Sequence, residues 1–413
     1  MELDSIPQSA LEQIEKVQGA DLVVGILCPG GNGLPAAAAS LVRQALESFP
    51  QAPRAVLVFD DNSGAAHFES EQSLPVLFYK LDDCASVASP QTVFHAYQTV
   101  LGLGCKLGAR ACTVIVSDLQ TVTAKWIDGL ARPALEMNFD LVVPRYARHK
   151  WEGLINRSIL APLHRSLYGK RIQNPLGPDL GLSGKLMQSI LEDQRATRTG
   201  NAASPLASVT STAARGNFQV CEVQVGARHQ PPTDWMNLSA LLVHILGPVF
   251  LDMERNAALW QRVRGSQPVP VFGKAETPPE EGGPVDAARL IDSFQLGAKN
   301  LQDVWGLVLP PTVLLEIRKL SRLPAAEFRV SDDLWVSIVY DFALAHRLRT
   351  INRDHLLRSF TPLYLGWIAS YAREMEHEGP LEVEARMERL ARAYEAGKPY
   401  LLSRWRWPDR FNP

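Results

Sequence analysis

The sequence predicts an α/β protein, with a mostly parallel sheet in its first part and an all-helical C-terminal domain. Apolar runs of strand length alternate with helix-like segments through the first part of the 413-residue chain. This alternation is typical of parallel sheets built from strand–helix–strand units. A stretch rich in proline and glycine follows at 265–284, which favours a linker or a long surface loop. Beyond it, apolar residues recur at helical spacing. We therefore expect domains at 1–264 and 285–413.

Six short apolar runs are the predicted strands, and each stops at glycine, proline or polar residues. In chain order they are Leu22–Cys28, Ala55–Phe59, Leu74–Tyr79, Thr113–Val116, Asp140–Pro144 and Phe218–Val225. The segments around them predict helices at Pro7–Val17, Pro35–Phe49, Pro90–Leu107, Gly153–Tyr168 and Asp234–Val263, and one that begins near Ala124. In an open α/β sheet, ligands bind outside the carboxyl ends of the strands. Polar residues that directly follow these strands are therefore the candidates for a site.

The C-terminal part contains five apolar patterns of helical period. They predict helices at Val285–Leu296, Pro311–Leu320, Ser331–Arg349, Asn352–Glu376 and Leu381–Glu395. The third begins with Ser331, Asp332 and Asp333. A serine suits the cap position, and acids suit the positive end of a helix.

Composition excludes several classes of protein. Hydrophobic residues make up 46% of the chain, charged residues 21%, and the net charge is −2, which predicts a folded protein without a general attraction to nucleic acid. No apolar run is long enough to span a bilayer, and the acidic N-terminus lacks a signal-peptide core. The five cysteines form no C-x-x-C pair, which favours free thiols over disulfides or zinc ligands. The cytoplasm is the expected compartment.

A single carboxylate follows the fourth predicted strand. The apolar run Thr113–Val116 leads into Ser117 and Asp118, ahead of the helix near Ala124. An acid at such a strand end can hold a metal ion or a sugar hydroxyl. The alternative is that Asp118 only caps the turn before the helix, where aspartate is common.

Other polar groups follow neighbouring strands. Asp60 and Asp61 close the second strand and could hold a ribose, a base or a metal, although a solvated turn uses the same residues. His229 follows the strand Phe218–Val225 and could join a carboxylate in binding a divalent ion. The alternative for His229 is an exposed loop histidine without a role.

Two further patterns allow ligand binding. Arg145 and Arg148 concentrate positive charge after the strand that ends at Pro144, which suits a phosphate or carboxylate on a small substrate; a solvated basic face is the alternative. The run Gly31-Asn-Gly33-Leu-Pro-Ala36 matches a dinucleotide fingerprint formally. A glycine-rich turn before a helix also suits any phosphate, or none.

Taken in order, these segments resemble GT-A-type glycosyltransferases related to mannosylglycerate synthase and glucosyl-3-phosphoglycerate synthase. The resemblance is strongest from Ala111 to Ile190. It is carried by the strand ending at Asp118 with Trp126-Ile127 behind it, by Pro144-Arg-Tyr-Ala-Arg148, and by Asn174-Pro-Leu-Gly177-Pro-Asp179-Leu. The helical tail adds support. The resemblance implies a GT-A nucleotide-sugar-binding domain at 1–264.

The resemblance also implies an activity, namely transfer of a hexose from a nucleoside-diphosphate sugar to a small anionic acceptor, such as glycerate or phosphoglycerate. It implies retention at the anomeric carbon, dependence on Mg²⁺ or Mn²⁺, and a homodimer. The implied roles are catalysis for Asp118 and Asp179, metal binding for Asp118 and His229, donor binding for Asp60, Asp61, Ser117, Asp118, Pro175, Leu176 and Gly177, and acceptor binding for Arg145 and Arg148.

The sequence departs from the family pattern at charged positions. Val116 stands where the first acid of the Asp-x-Asp metal motif belongs, and Ala88-Ser-Pro-Gln91 replaces a Gly-Lys-Gly donor loop. The stretch Asn201–Pro205 carries no carboxylate where an acidic segment is expected. A degenerate relative that binds a ligand or a partner without catalysis is therefore the alternative hypothesis.

Overall fold

The structure is a computed structural model that describes residues 8–17, 19–27, 35–60, 74–79, 90–116, 121–196, 205–228, 238–279 and 285–406. Its contacts divide the chain into two compact units. The sheet unit comprises Met1–Ala147, Asn174–His229 and Val269–Thr277. The helical unit comprises Arg148–Gln173, Gln230–Pro268 and Pro278–Pro413.

Ten strands and sixteen α-helices are described, and both kinds of element are numbered in chain order. The strands are β1 Leu22–Ile26, β2 Ala55–Asp60, β3 Val76–Tyr79, β4 Ala111–Ile115, β5 Leu141–Ala147, β6 Lys170–Arg171, β7 Leu180–Ser183, β8 Val220–Ala227, β9 Gln267–Pro268 and β10 Val271–Phe272. The helices are α1 Gln8–Ile14, α2 Pro35–Leu46, α3 Pro90–Lys106, α4 Ala124–Glu136, α5 Ala161–Tyr168, α6 Gly184–Ala196, α7 Pro205–Arg215, α8 Leu238–Arg255, α9 Ala257–Trp260, α10 Ala287–Asn300, α11 Gln302–Gly306, α12 Pro311–Leu320, α13 Asp332–Leu348, α14 Arg353–Ser359, α15 Thr361–Met375 and α16 Pro380–Arg406.

The sheet unit is built on eight strands in the order β10-β8-β5-β7-β4-β1-β2-β3. All neighbouring pairs are parallel except those of β7, which runs antiparallel to both β4 and β5. β7 therefore begins at the edge where the other strands end. This reversal brings the segment before β7 to the carboxyl ends of β4 and β5.

The sheet is buried on both sides, because α2 and α4 cover one face and α3 and α6 contribute to the other. Every residue of β1 and β4 is buried, as expected for central strands of a covered parallel sheet. Close packing requires glycine at Gly181 in β7, where a Cβ atom would collide with the carbonyl oxygen of Leu130 in α4. The core of the first face includes the fully buried Trp126 and Ile127 of α4.

The helical unit contains α5, α8 to α16, a π-helix at Asn156–Leu160 and a small sheet of β6 and β9. Helix α13 begins as the sequence predicts, because the Ser331 side chain accepts a hydrogen bond from the Leu334 amide. Its Trp335 is fully buried and donates to the Ser158 carbonyl oxygen through the indole N–H. Tyr364 and Trp367 of α15 pack on the Trp335 ring. An aromatic core thus holds this unit together.

The predicted fold class is confirmed, since a mostly parallel sheet makes up the first unit and the described residues 285–406 contain helices and no strand. The contacts do not follow a linear division, because 148–173 and 230–268 pack with the C-terminal helices. The division into 1–264, 265–284 and 285–413 stays a prediction. The segment 265–284 contains the short strands β9 and β10, which the sequence did not predict. No helix in the described part of the chain is long and apolar enough to cross a membrane.

Candidate functional site

The candidate site lies at the edge of the sheet where β4, β5, β8 and β10 end and β7 begins. Leu180 pairs with Val114 of β4, so Asp179 lies just before β7 and beside the end of β4. Polar and charged side chains converge here from segments far apart in the sequence. This is the edge at which open α/β sheets bind ligands.

Asp179 is the central residue of this edge. Its side chain is fully buried. One carboxylate oxygen, Oδ1, accepts a hydrogen bond from the Val116 amide at 2.8 Å, and Oδ2 accepts one from the Tyr146 hydroxyl at 2.6 Å. A buried carboxylate is tolerated when hydrogen bonds replace water. Asp179 therefore links the end of β4 to β5.

Tyr146 connects this carboxylate to the neighbouring strand β8. Its ring packs on Trp126 with a distance of 5.6 Å between ring centroids. The guanidinium of Arg228, just past β8, lies 5.5 Å from the centroid of the Tyr146 ring. An arginine over an aromatic face is held by a cation–π interaction. The result is a positive charge placed next to the Tyr146–Asp179 pair.

Tyr97 of α3 is close enough to Asp179 and Arg228 for their charges to affect the pKa of its hydroxyl. It is fully buried, and its hydroxyl has no hydrogen-bond partner among the described residues. Burial raises the pKa of this hydroxyl well above its usual value; the negative charge of Asp179 adds to the rise, and the positive charge of Arg228 opposes it. Tyr97 is therefore neutral near pH 7.

Arg145 of β5 is partly engaged within the sheet unit. Its Nε lies 3.8 Å from Oε2 of Glu222 in β8. Glu222 is only 2% exposed, whereas Arg145 keeps about a quarter of its side chain accessible. The guanidinium thus balances a buried carboxylate while part of it remains open. An acceptor-binding role for Arg145 stays a prediction.

The predicted donor loop forms a tight turn ahead of Asp179. The Gly177 amide donates to the carbonyl oxygen of Asn174 at 2.9 Å, and the Asn174 side chain donates to the Pro144 carbonyl oxygen at 2.9 Å. Pro175 is buried and Leu176 half-buried. These bonds fix the turn against the middle of β5. Contact of the turn with a donor stays a prediction.

Arg148 belongs to the helical unit, whereas Arg145 belongs to the sheet unit. The Arg148 guanidinium fills the space left by the missing side chain of Gly153, whose φ is +61°. Arg148 and Arg145 therefore do not form one cluster within either unit.

Several predicted site residues cannot be placed. Asp61, Ser117, Asp118 and His229 lie outside the described residues, and of Asp60 only the backbone, at the end of β2, is described. Within the described part of the chain, no group of three histidine, cysteine or acidic side chains could hold a metal ion. The roles in donor and metal binding that the sequence predicts for Asp60, Asp61, Ser117, Asp118 and His229 stay predictions.

Sequence reasoning missed three side chains at this edge: Tyr97, Tyr146 and Arg228. Tyr146 lies inside the motif Pro144-Arg-Tyr-Ala-Arg148, where only the arginines were considered. Arg228 directly precedes His229 and could have been noted as a cation next to a predicted ligand. Tyr97 gives no signal in the sequence, because a tyrosine within an apolar helix is typical of a core.

Comparison with known proteins gives likeness in structure only. No protein-family model matches the chain, and no curated protein matches it significantly. A crystal structure of glucosyl-3-phosphoglycerate synthase from Mycobacterium tuberculosis, in complex with Mn²⁺, UDP-glucose and phosphoglyceric acid, is similar with a TM-score of 0.37 and 14% identity, covering 60% of this chain and 85% of that one. Mannosyl-3-phosphoglycerate synthase from Rubrobacter xylanophilus is similar with a TM-score of 0.39 and 14% identity, covering 63% of this chain and 82% of that one.

These synthases are of the kind that the sequence motifs resemble. The likeness concerns the fold. At such identities and TM-scores it does not carry an activity or a ligand to this chain.

Proposed function

We propose that this chain is a glycosyltransferase that moves a hexose from a nucleoside-diphosphate sugar to a small anionic acceptor, with glycerate or phosphoglycerate as the expected kind of acceptor. The proposal includes retention at the anomeric carbon and dependence on Mg²⁺ or Mn²⁺. It rests on the sequence motifs around Asp118, Arg145 and Asn174–Asp179 together with the arrangement of charged groups at one edge of the sheet.

The observation that carries the proposal is the pair of hydrogen bonds made by Asp179. The carboxylate oxygens of Asp179 accept one hydrogen bond from the Val116 amide, at 2.8 Å, and one from the Tyr146 hydroxyl, at 2.6 Å. Val116 directly precedes Ser117 and Asp118, so the segment with the predicted metal ligand leaves the sheet from a fixed backbone position. Transfer reactions gain much of their rate from such positioning. In this proposal Asp179 acts mainly by holding this edge in place.

This reaction requires positive charge beside the leaving group. The departing nucleoside diphosphate carries negative charge that must be stabilised as the glycosidic bond breaks. Arg228, held over Tyr146, supplies one fixed positive charge at the edge, and the accessible part of Arg145 supplies another. Asp118 and His229 would hold the divalent ion, whose role when bound is to neutralise the diphosphate. Carboxylate and imidazole are donors that Mn²⁺ accepts.

A non-catalytic binding protein is the second candidate, and two observations favour it. Val116 offers no ligand where the family has an acid. Asp179 and Arg145 both already have protein partners, Tyr146 and Glu222 respectively. A scaffold that keeps the fold while its charged groups are used internally could bind a nucleotide or a partner protein without turnover.

A thermal-shift panel separates these functions. Full-length protein is heated with GDP, UDP, ADP and their glucose and mannose conjugates, each with and without Mn²⁺. A ligand of the native state raises the melting temperature by mass action. The proposal predicts a rise for one nucleotide class that requires Mn²⁺ and disappears in Asp118→Ala. A rise that is independent of Mn²⁺ and unchanged in Asp118→Ala favours the binding protein, and no rise with any ligand contradicts both nucleotide-based functions.

A further inference from the structure

A cavity of about 460 Å³ lies within the helical unit, where α12, α13 and α16 meet. Its volume falls within the range of small-molecule sites, about 300–1,000 Å³. The lining residues all belong to this unit, at 310–313, 316, 333–334, 337, 400 and 404. None of them takes part in the candidate site at the edge of the sheet. The cavity is therefore a separate place at which a ligand can bind.

Each of the three helices contributes to the cavity a pair of polar residues four positions apart. The pairs are Thr312 and Glu316 in α12, Asp333 and Ser337 in α13, and Tyr400 and Arg404 in α16. Residues at this spacing lie on the same face of a helix. Helices usually turn their apolar faces toward one another. Three polar faces around one cavity therefore suit a polar ligand.

The pair from α16 is already used by the protein. The Tyr400 hydroxyl donates to the carboxylate of Asp341, with distances of 2.8 Å to Oδ1 and 3.0 Å to Oδ2. The Nε atom of Arg404 lies 3.3 Å from Oδ1 of Asp341, and the Arg404 guanidinium lies 5.4 Å from the centroid of the Tyr400 ring. Asp341 follows Ser337 by four residues on α13 and is 1% exposed. These contacts fix the α16 side of the cavity and engage the charge of Arg404.

The pairs from α12 and α13 are not used in this way. Among the described residues, the side chains of Thr312, Glu316, Asp333 and Ser337 form no hydrogen bond and no ion pair. Glu316 and Asp333 are exposed. Two carboxylates against one guanidinium leave the lining negative even when Asp341 is protonated, and more negative when it is ionised. The electrostatic field of the cavity therefore attracts a cation.

The donor set favours an organic cation over a metal ion. Ca²⁺ and Mg²⁺ need six or more oxygen ligands in a close shell, and no group of three histidine, cysteine or acidic side chains in the described part of the chain could hold a metal. An ammonium group carries three hydrogen-bond donors and no acceptor. Carboxylates and hydroxyls, both acceptors, are the groups that such a ligand requires.

We propose that this cavity binds a small organic cation, with Glu316 and Asp333 pairing with its ammonium groups and the hydroxyls of Thr312 and Ser337 accepting further hydrogen bonds from them. The site lies in the helical unit and does not depend on the proposed transfer of a sugar.

Isothermal titration calorimetry of the full-length protein with four probes tests this proposal. Putrescine is a four-carbon chain with two ammonium groups. Butane-1,4-diol has the same chain without charge, succinate has a four-carbon chain with two negative charges, and Mg²⁺ carries the charge of putrescine on a metal ion. We expect saturable binding of putrescine, weakened by added salt because the attraction is electrostatic, and no comparable binding of the diol or of succinate.

Three substitutions that each remove one negative charge locate the binding. Glu316→Gln and Asp333→Asn change the cavity, and Glu327→Gln is the matched control, because Glu327 is an exposed glutamate of the same unit that does not line the cavity and has no ion pair among the described residues. We expect the Kd for putrescine to rise about fivefold in each cavity variant and to stay unchanged in Glu327→Gln. Ser337→Leu keeps the charge but fills space, and it should weaken binding as well. Melting temperatures without ligand show that the variants are folded.

Several results would overturn the proposal. These are absence of putrescine binding by wild type, binding of the diol or of succinate as tight as that of putrescine, and an unchanged Kd in both cavity variants. An equal loss of affinity in Glu327→Gln would also do so, because the effect would then be one of net charge. Binding of Mg²⁺ that is tighter than that of putrescine and equally sensitive to Glu316→Gln and Asp333→Asn would assign the acids to a metal ion instead. None of these results bears on the transfer of a sugar at the edge of the sheet.

Discussion

The hydroxyl of Tyr146 lies 2.6 Å from Oδ2 of Asp179, and both side chains are buried beneath the carboxyl edge of the sheet. The other carboxylate oxygen of Asp179, Oδ1, accepts a hydrogen bond from the Val116 amide. One carboxylate thereby connects the end of β4, strand β5 and the beginning of β7. Because β7 is inserted between β4 and β5, the three segments meet at a single point. This connection fixes the position of Val116 relative to the rest of the edge.

Removing the Tyr146 hydroxyl should destabilise the protein measurably. In Tyr146→Phe, Oδ2 of Asp179 loses its described donor inside the protein, and a buried carboxylate that loses a hydrogen bond costs about 1–3 kcal/mol. Urea unfolding followed by circular dichroism measures this free energy. We also expect weaker nucleotide-dependent stabilisation, because the end of β4 is less firmly held.

Tyr97→Phe is the control for this variant. In the wild type, the Tyr97 hydroxyl is also buried but has no hydrogen-bond partner among the described residues. Replacing such a group by hydrogen removes an unmet polar atom, so the free energy of unfolding should stay the same or increase. Equal destabilisation by Tyr97→Phe and Tyr146→Phe would contradict the importance assigned to the bond with Asp179.

Gly181→Ala should disturb the insertion of β7 into the sheet. The added Cβ would collide with the Leu130 carbonyl oxygen and lie 3.0 Å from Cβ of Val142, and neither backbone can move freely within a packed sheet. Overpacking of this kind costs about 1–3 kcal/mol. Gly306→Ala is the control, because nothing lies within 4 Å of the added Cβ. Chemical unfolding should show a large loss for Gly181→Ala and a change of less than about 1 kcal/mol for Gly306→Ala.

The helical unit contains a carboxyl group that titrates near neutrality. Asp341 is 1% exposed. Burial raises the pKa of Asp341 to about 7, although Arg404 and a hydrogen bond from Tyr400 favour the charged form. In the unfolded chain this carboxyl titrates near pH 4. The folded state therefore binds the proton more tightly, and the resulting stability is present below about pH 4 and is lost as the pH rises to about 7.

Asp341→Asn should reduce this pH dependence. The asparagine cannot titrate, so the decrease in unfolding free energy between pH 4 and pH 7 should become smaller, by about 4 kcal/mol at most. Unfolding is measured in urea at several pH values, with Asp354→Asn as control, because Asp354 is an exposed acid of α14 paired with Arg358. An unchanged pH profile in Asp341→Asn would show that Asp341 is charged throughout this range.

The sequence predicts most of the sheet because its central strands are buried on both faces. Apolar runs reveal β1, β2, β3, β4, β5 and β8, although the boundaries differ by a few residues. Strand β7 was missed, since Leu180–Ser183 has four residues, includes a glycine and reverses direction. Helices α6 and α7 were missed with it. The predicted helix Asn352–Glu376 is divided into α14 and α15 at Phe360.

The site is less predictable than the fold, because its contacts depend on the order of the strands. Asp179 and Tyr146 are 33 residues apart in the chain, and nothing local indicates that they meet. Strand β10 lies in a segment whose prolines and glycines are typical of a linker, and it joins the sheet only by pairing with β8. Asp179 was predicted as a site residue from the family resemblance, whereas its partner Tyr146 was not predicted.

The most direct test of the proposed function is an assay of sugar transfer by the purified full-length protein. UDP-, GDP- and ADP-activated glucose and mannose are incubated with glycerate or 3-phosphoglycerate and Mn²⁺, and the products are identified by mass spectrometry. We expect a hexosylated acceptor with wild type, its loss in Asp118→Ala, and an unchanged melting temperature of that variant without ligand. No transfer from any donor would contradict the proposed function, and full transfer by Asp118→Ala would contradict the role assigned to Asp118.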